Sequence, residues 1–203
     1  IIEFAEMGSG IKIAMRDLEI RGAGNILGAE QHGHMEKIGY ELYSKLLREE
    51  LSGKEEIIPE LDVRVSAFIP DNYIESNIAR MDTYKEIAEI NSLTAEIEFK
   101  ASIEDAYGTM PEETESLINI AVVKMLAMKH GVKSIVINKS VTKLVFGDFK
   151  AFADERLRNA IDEFDEKIRV SMSVEPVLEF ISDNQTNAEM LKLVREFLVL
   201  AVK

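Results

Sequence analysis

The residues with the most chemical potential stand together near the start of the chain, in Met15-Arg16-Asp17-Leu18-Glu19-Ile20-Arg21-Gly22-Ala23-Gly24-Asn25-Ile26-Leu27-Gly28-Ala29-Glu30-Gln31-His32-Gly33-His34. Charged and apolar side chains alternate up to Arg21, after which glycines let the backbone fold tightly. An arginine at such a turn can be aimed at a phosphate, a carboxylate or another domain, because its guanidinium is a planar fork of donors. Gln31, between two small-residue turns, is likewise presented at a fixed angle. The plainer alternative is a loop in which glycines supply the turns and Arg21 sits in an ordinary salt bridge. A dinucleotide site is a poor fit, since the spacing Gly22-x-Gly24-x-x-x-Gly28 puts Leu27 where a third glycine belongs and no clean βαβ unit surrounds it. His32 and His34 offer two imidazoles with no third ligand in view, which makes a weak metal site.

Other chemistry is excluded by residue type. There is no cysteine, so disulfides, thiolate metal sites and a thiol nucleophile are ruled out. No Gly-x-x-x-x-Gly-Lys-Ser/Thr loop is present, so no ATP site and no bound cofactor are expected in this chain. The many carboxylates form no recognisable catalytic pair and read as solvated faces.

Two regions position these residues. Six of the eleven glycines fall within residues 1–35. From Ile38, Leu42, Tyr43, Leu46, Leu47 and Leu51 recur at helical spacing and predict a linking helix. Ser52-Gly53-Lys54 ends it, and a polar connection runs to Pro59. The first region is thus 1–52 and the second 58–203.

In the second region, Asp62 to Phe68 alternates as a strand with Val63, Val65 and Ala67 on one face. Pro70-Asp71-Asn72 predicts a helix start, followed by Ile74, Ile78, Met81, Tyr84 and Ala88. A second or broken helix is expected over about 94–105. Thr109-Met110-Pro111-Glu112 predicts a capping box opening a helix with Leu117, Ala121, Lys124, Met125 and Met128 on its stripe, ended by Gly131. His130, beside that glycine, stands where a cation is favourable. Residues 134–137 and 141–146 flank Asn138-Lys139-Ser140 as a hairpin. Leu157, Ala160, Ile161 and Phe164 predict a short amphipathic helix. Ile168, Val170, Met172 and Val174 alternate as a half-buried strand, and residues 177–181 predict another. Thr186-Asn187-Ala188-Glu189 is a second capping box before a helix with Leu191, Val194, Leu198 and Ala201 on one side. Met125, Met128, Met172 and Met190 fall on apolar stripes and read as core. The expected class is α+β, an antiparallel sheet packed with several helices, preceded by the glycine-rich segment and the linking helix.

Hydrophobic residues make up 46% of the 203-residue chain and charged residues 30%, a globular composition. No apolar run approaches the roughly 18–20 residues of a membrane span. The N-terminal residues have no basic flank and do not read as a signal peptide, so the expectation is a cytoplasmic protein cut from a larger chain. The net charge is −13, with −3 in residues 1–50 and −10 beyond. That balance lacks the basic footprint of an autonomous nucleic-acid binder and suits a basic protein partner, or simply solubility.

The run Asp17-Leu18-Glu19-Ile20-Arg21-Gly22-Ala23-Gly24-Asn25-x-Leu27-Gly28-x-x-Gln31-x-Gly33-His34 is far more specific than a glycine count. It resembles the translocation motif shared by bacterial transcription-repair coupling factors and the RecG branch-migration helicases. The flanking Gly8–Ala14 and Ile38–Leu47, and then Phe68–Ile74 and Arg80–Lys85, resemble the coupling factors alone. The resemblance is strong over 1–50, good over 60–130, and a matter of general pattern after that.

It implies a piece of a DNA-translocating ATPase whose motor domains, elsewhere in the whole protein, bind ATP, Mg and double-stranded DNA. Arg16, Arg21 and Gln31 would be the working polar residues of the motif, with Gly22, Gly24 and Gly33 shaping it. The whole factor would push stalled RNA polymerase off a lesion and recruit UvrA. The C-terminal domain would mask the factor's own N-terminal UvrA-binding module, an autoinhibition. Two departures from the family stand out. His32 replaces a serine, and the family's Asp-Arg-Phe-Gly element reads Asp105-Ala106-Tyr107-Gly108, so part of the regulatory contact differs here or is supplied by Glu104 and Asp105. A C-terminal piece of a RecG-type helicase that binds DNA directly is the alternative, and the acidic balance argues against it. An unrelated small enzyme is a third reading, which no catalytic constellation supports.

Overall fold

The computed structural model describes residues 59–182 and 184–202. The glycine-rich segment, the linking helix, His32 and His34 lie outside the described residues. In chain order the elements are β1 (Glu60–Val63), α1 (Asn77–Ala88), α2 (Leu93–Tyr107), α3 (Glu112–Lys129), β2 (Val132–Ile137), β3 (Thr142–Phe146), α4 (Glu155–Glu163), β4 (Ile168–Met172), β5 (Pro176–Phe180) and α5 (Asn187–Leu200). Short 3₁₀ turns at Lys150–Ala153 and Asp165–Lys167 flank α4. The class is α+β, as the pattern of elements predicts.

Five strands form one sheet in the order β1-β2-β3-β5-β4. Three of the four pairings are antiparallel; β1 alone runs parallel to its neighbour β2. One row across the sheet is Leu61, Ile135, Leu144, Leu178 and Val170. The four-residue connection closes the β2–β3 hairpin because the Asn138 Oδ1 accepts from the amides of Ser140 (2.9 Å) and Val141 (3.1 Å), an Asx turn.

The core lies between this sheet and two helices. α3 buries twelve of its eighteen residues, from Thr114 to Ala127, so its apolar surface wraps well beyond one stripe. α5 packs on α3, and both rest on β2. Phe197 of α5 meets Phe164 and Phe180 edge-on, with centroids 5.5 Å away in each case. The Thr186–Glu189 capping box forms as expected. The Glu189 amide donates to Thr186 Oγ1 at 3.2 Å, and the Thr186 amide donates to the Glu189 carboxylate at 2.7 Å. Gly131 ends α3 with φ +66°, a conformation that glycine adopts without cost.

Several local expectations are corrected. The first strand is shorter, 60–63; beyond it the chain bends at Val65 and Phe68, and Ala67 and Ile69 are buried. Pro70 opens a turn and not a helix: the amides of Tyr73 and Ile74 both donate to its carbonyl, and α1 starts only at Asn77, capped by Ser76. The capping box at Thr109 does not form. A residue before proline avoids the α region, so Met110 cannot join the helix and Pro111 itself takes the cap position without a side-chain bond.

The face of β4 is also not half buried. Ile168 is buried, but Val170, Met172 and Val174 are 43%, 51% and 91% exposed. Met190 is core, Met125 and Met128 are partly covered, and Met172 is not core.

Candidate functional site

Of the residues expected to act, Arg16, Arg21, Gly22, Gly24, Gln31 and Gly33 lie outside the described residues. Glu104 and Asp105 are described, and both stand exposed on the last turn of α2.

α2 begins where Ser92 accepts from the Ala95 amide at 3.1 Å, an N-cap that the sequence reading did not single out. Its inward residues Glu96, Phe99, Lys100 and Ile103 recur at helical spacing; Glu96 and Ile103 are buried, Phe99 and Lys100 half-buried. Ile97, Ala101 and Glu104 recur at the same spacing one residue later and form an outward stripe, with Asp105 beside it. Ile97 is 68% exposed. The outer face of α2 is therefore an apolar anchor followed by two carboxylates.

The helix stops at Gly108, whose φ of 81° and ψ of −162° belong to a region essentially reserved for glycine. Its amide returns to the Glu104 carbonyl at 2.9 Å. The Gly108 carbonyl in turn accepts from the Tyr73 hydroxyl at 3.1 Å, and the Tyr73 and Tyr107 rings lie 6.0 Å apart in a tilted pair. Partial burial raises the Tyr73 phenol above its usual range, and the Glu104 carboxylate and Tyr107 add to the shift. The phenol thus stays protonated as a donor. The turn carrying the two acids is pinned from the other side by Tyr73, which the sequence reading placed only within a family pattern.

The acids sit against the helix dipole. A helix C-terminus carries partial negative charge and favours cations, each by about 0.3–1 kcal/mol. α2 has no basic residue in its last turn and carries Glu104 and Asp105 there. Neither forms a salt bridge with another described residue. Helix stability alone would not choose this arrangement; a cationic partner would.

Two residues important to this face escaped the sequence reading. Glu96, 2% exposed, pairs with Arg195 of α5, whose Nη2 lies 2.8 Å from both carboxylate oxygens. Lys100 reaches Oε1 at 2.8 Å. The i,i+4 spacing of Glu96 and Lys100 was a visible signal, but Arg195 lies 99 residues further along. His130 is a correction: it is 7% exposed, and burial lowers its pKa from 6.5 despite nearby Asp154. Desolvation disfavours the charged imidazole there, against the expectation that the helix end favours a cation.

Among the described residues no group of three or more His, Asp or Glu is placed to hold a metal ion. No described helix is long and apolar enough to cross a membrane.

The family model of the TRCF domain matches residues 63–157 of this α+β domain. The transcription-repair-coupling factor of Bacillus subtilis is 37% identical over 155 residues, 73% of this chain and 13% of that protein. That of Staphylococcus epidermidis is 38% identical over 143 residues, 66% of this chain and 12% of its own length. A crystal structure of the C-terminal domain of transcription-repair coupling factor superposes with a TM-score of 0.59 at 16% identity, covering 73% of this chain and 96% of that one. The chain belongs to the transcription-repair coupling factors and corresponds to their C-terminal part. It spans about one eighth of the length of the curated relatives it matches. These relatives do not favour a RecG-type helicase.

Proposed function

We propose that this chain is the regulatory end of a transcription-repair coupling factor, holding the factor's own N-terminal UvrA-binding module closed until the motor engages DNA. The exposed acidic turn of α2 is the observation that carries the reading. Glu104 and Asp105 are unpaired within the described domain, oppose the helix dipole and are set at a fixed angle by Gly108 and Tyr73. Such a patch gains energy from a basic counterpart, and Ile97 gives it an apolar anchor. The net charge of −13 strengthens the attraction at long range and disfavours direct binding to a phosphate backbone.

In this reading residues 1–52 carry the translocation motif, with Arg16, Arg21 and Gln31 as its polar residues on turns made by Gly22, Gly24 and Gly33. ATP and Mg would be bound by the motor domains of the whole protein, which would use the motif to couple hydrolysis to movement on double-stranded DNA. RNA polymerase and UvrA would be partners of that whole protein, in the cytoplasm. Motor engagement would shift the population from a closed to an open arrangement.

The test is calorimetric titration of the chain against the UvrA-binding module at two salt concentrations, with and without E104Q/D105N. The expected result is salt-weakened binding that competes with UvrA and falls by about tenfold in the double variant, within the range of a few charge contacts. The variant's thermal midpoint should not fall, since two charges unfavourable to the helix are removed. Absence of binding, or binding indifferent to both substitutions, would overturn the reading.

A further inference from the structure

The acidic turn is only as well placed as the helix that carries it, and α2 is held to the domain by a thin apolar face and a buried charge cluster. Of its fifteen residues only Glu96 and Ile103 are buried, with Leu93, Ala95 and Phe99 half-covered, so Ile103 is its one fully buried apolar side chain. α3 buries twelve. A helix this short is marginal by itself and normally depends on an apolar stripe against its neighbours.

Beside that thin face there is the Glu96 cluster. The Glu96 side chain is 3% exposed, the Arg195 side chain 27% and the Lys100 side chain 28%. The two cations differ in what they can do. Lys100 is on α2 itself and would travel with Glu96 if the helix moved. Arg195 is on α5 and is the partner that ties α2 to the body of the domain. Its Nε is buried without a hydrogen-bond partner, so Glu96 does not satisfy the whole guanidinium.

Arg195 also lines a groove of about 360 Å³ together with Glu163 and Glu196. Each half of the pair therefore has a second countercharge at hand: Lys100 for Glu96, and the groove carboxylates for Arg195. A buried pair with no such alternatives would be costly to separate.

We propose that Glu96–Arg195 is an electrostatic latch. Arg195 is the positioning residue for the outer face of α2, and its release lets α2 lift from α5 as one unit, taking Glu104 and Asp105 out of register. The use assigned to the latch rests on the docking role above; the latch itself concerns this chain alone.

Hydrogen exchange on the whole 203-residue chain tests it, comparing the wild type with R195M, E96Q and the apolar pair E96L/R195L. In R195M and E96Q, amides of residues 97–107 should exchange roughly tenfold faster or more, while those of α3, β2 and β3 keep wild-type rates, the mark of local opening. E96L/R195L should restore slow exchange in α2, because an apolar pair can replace a buried ion pair. Unchanged α2 amides in R195M, or acceleration spread equally over α3 and the sheet, would sink the latch. Titration of the same variants against the UvrA-binding module tests its use. Weakened binding by R195M, with Glu104 and Asp105 intact and recovery in E96L/R195L, supports the positioning role; unchanged binding by a loosened α2 overturns it. Should the wild-type chain itself not bind, the docking role fails while the exchange data still decide the latch.

Discussion

At the scale of single residues, Gly108 and His130 make opposite demands. Gly108 has open space where a Cβ would stand, so a side chain there meets no clash; the cost is in the backbone alone. G108A should destabilise the domain by about 1–3 kcal/mol through that strain, read by urea unfolding. It should also move the acidic turn without removing either acid. His130 is buried as neutral imidazole, and its folded pKa lies below 6.5. As pH falls below 6.5 the unfolded chain takes up the proton first, so stability is full above that value and declines on acidification. H130F should flatten the slope of unfolding free energy between pH 7 and 5; an unchanged slope would assign it to the carboxylates. Both residues were visible in the sequence, but only Gly131 beside His130 was read correctly. A C-terminal glycine signals its role through local backbone geometry, whereas the surroundings of His130 include Asp154 and Arg156, more than twenty residues further along the chain.

At the scale of elements, legibility followed how locally each one is specified. The β2–β3 hairpin, α4 and the capping box of α5 are written in contiguous residues, and they stand where the spacing puts them. T186A should cost about 1 kcal/mol, within the roughly 0.5–2 kcal/mol of a lost N-cap, because it removes the hydroxyl that accepts from the Glu189 amide and donates to the Glu189 carboxylate. Thermal denaturation reads this directly. The true starts of α1 and α3 were missed, since Pro70 and Pro111 each redirect the chain before a helix can form. α2 was the hardest to read. Its inward face mixes Glu96 and Lys100 with Phe99 and Ile103, so apolar periodicity marks it only weakly, and Arg195, which pairs with buried Glu96, is remote in sequence. Glu104 and Asp105 were singled out only through the family resemblance; their opposition to the dipole became apparent once α2 was seen to end at Tyr107.

At the scale of the whole molecule, the α+β class was legible and the edges of the sheet were not. Val170 and Met172 lie on the same sheet face as buried Leu178 and Pro176, yet both are exposed, because alternation reports which face a side chain takes and not whether a layer reaches over it. V170T and M172K should each change unfolding free energy by no more than about 0.5 kcal/mol; a loss several times larger would mean that face is covered. The parallel pairing of β1 was equally hidden, since four residues of strand carry no record of their neighbour. It has a kinetic consequence. Glu60 pairs with Ser134, so on the ribosome β1 emerges well before the strand it needs, by several seconds at about 5–20 residues per second. Throughout that wait it is a nascent strand with two open edges, and closing so long a loop is a slow step. The exposed Glu60 and Asp62 then serve as gatekeepers, their charge keeping the waiting segment from pairing with the nascent chains of neighbouring ribosomes.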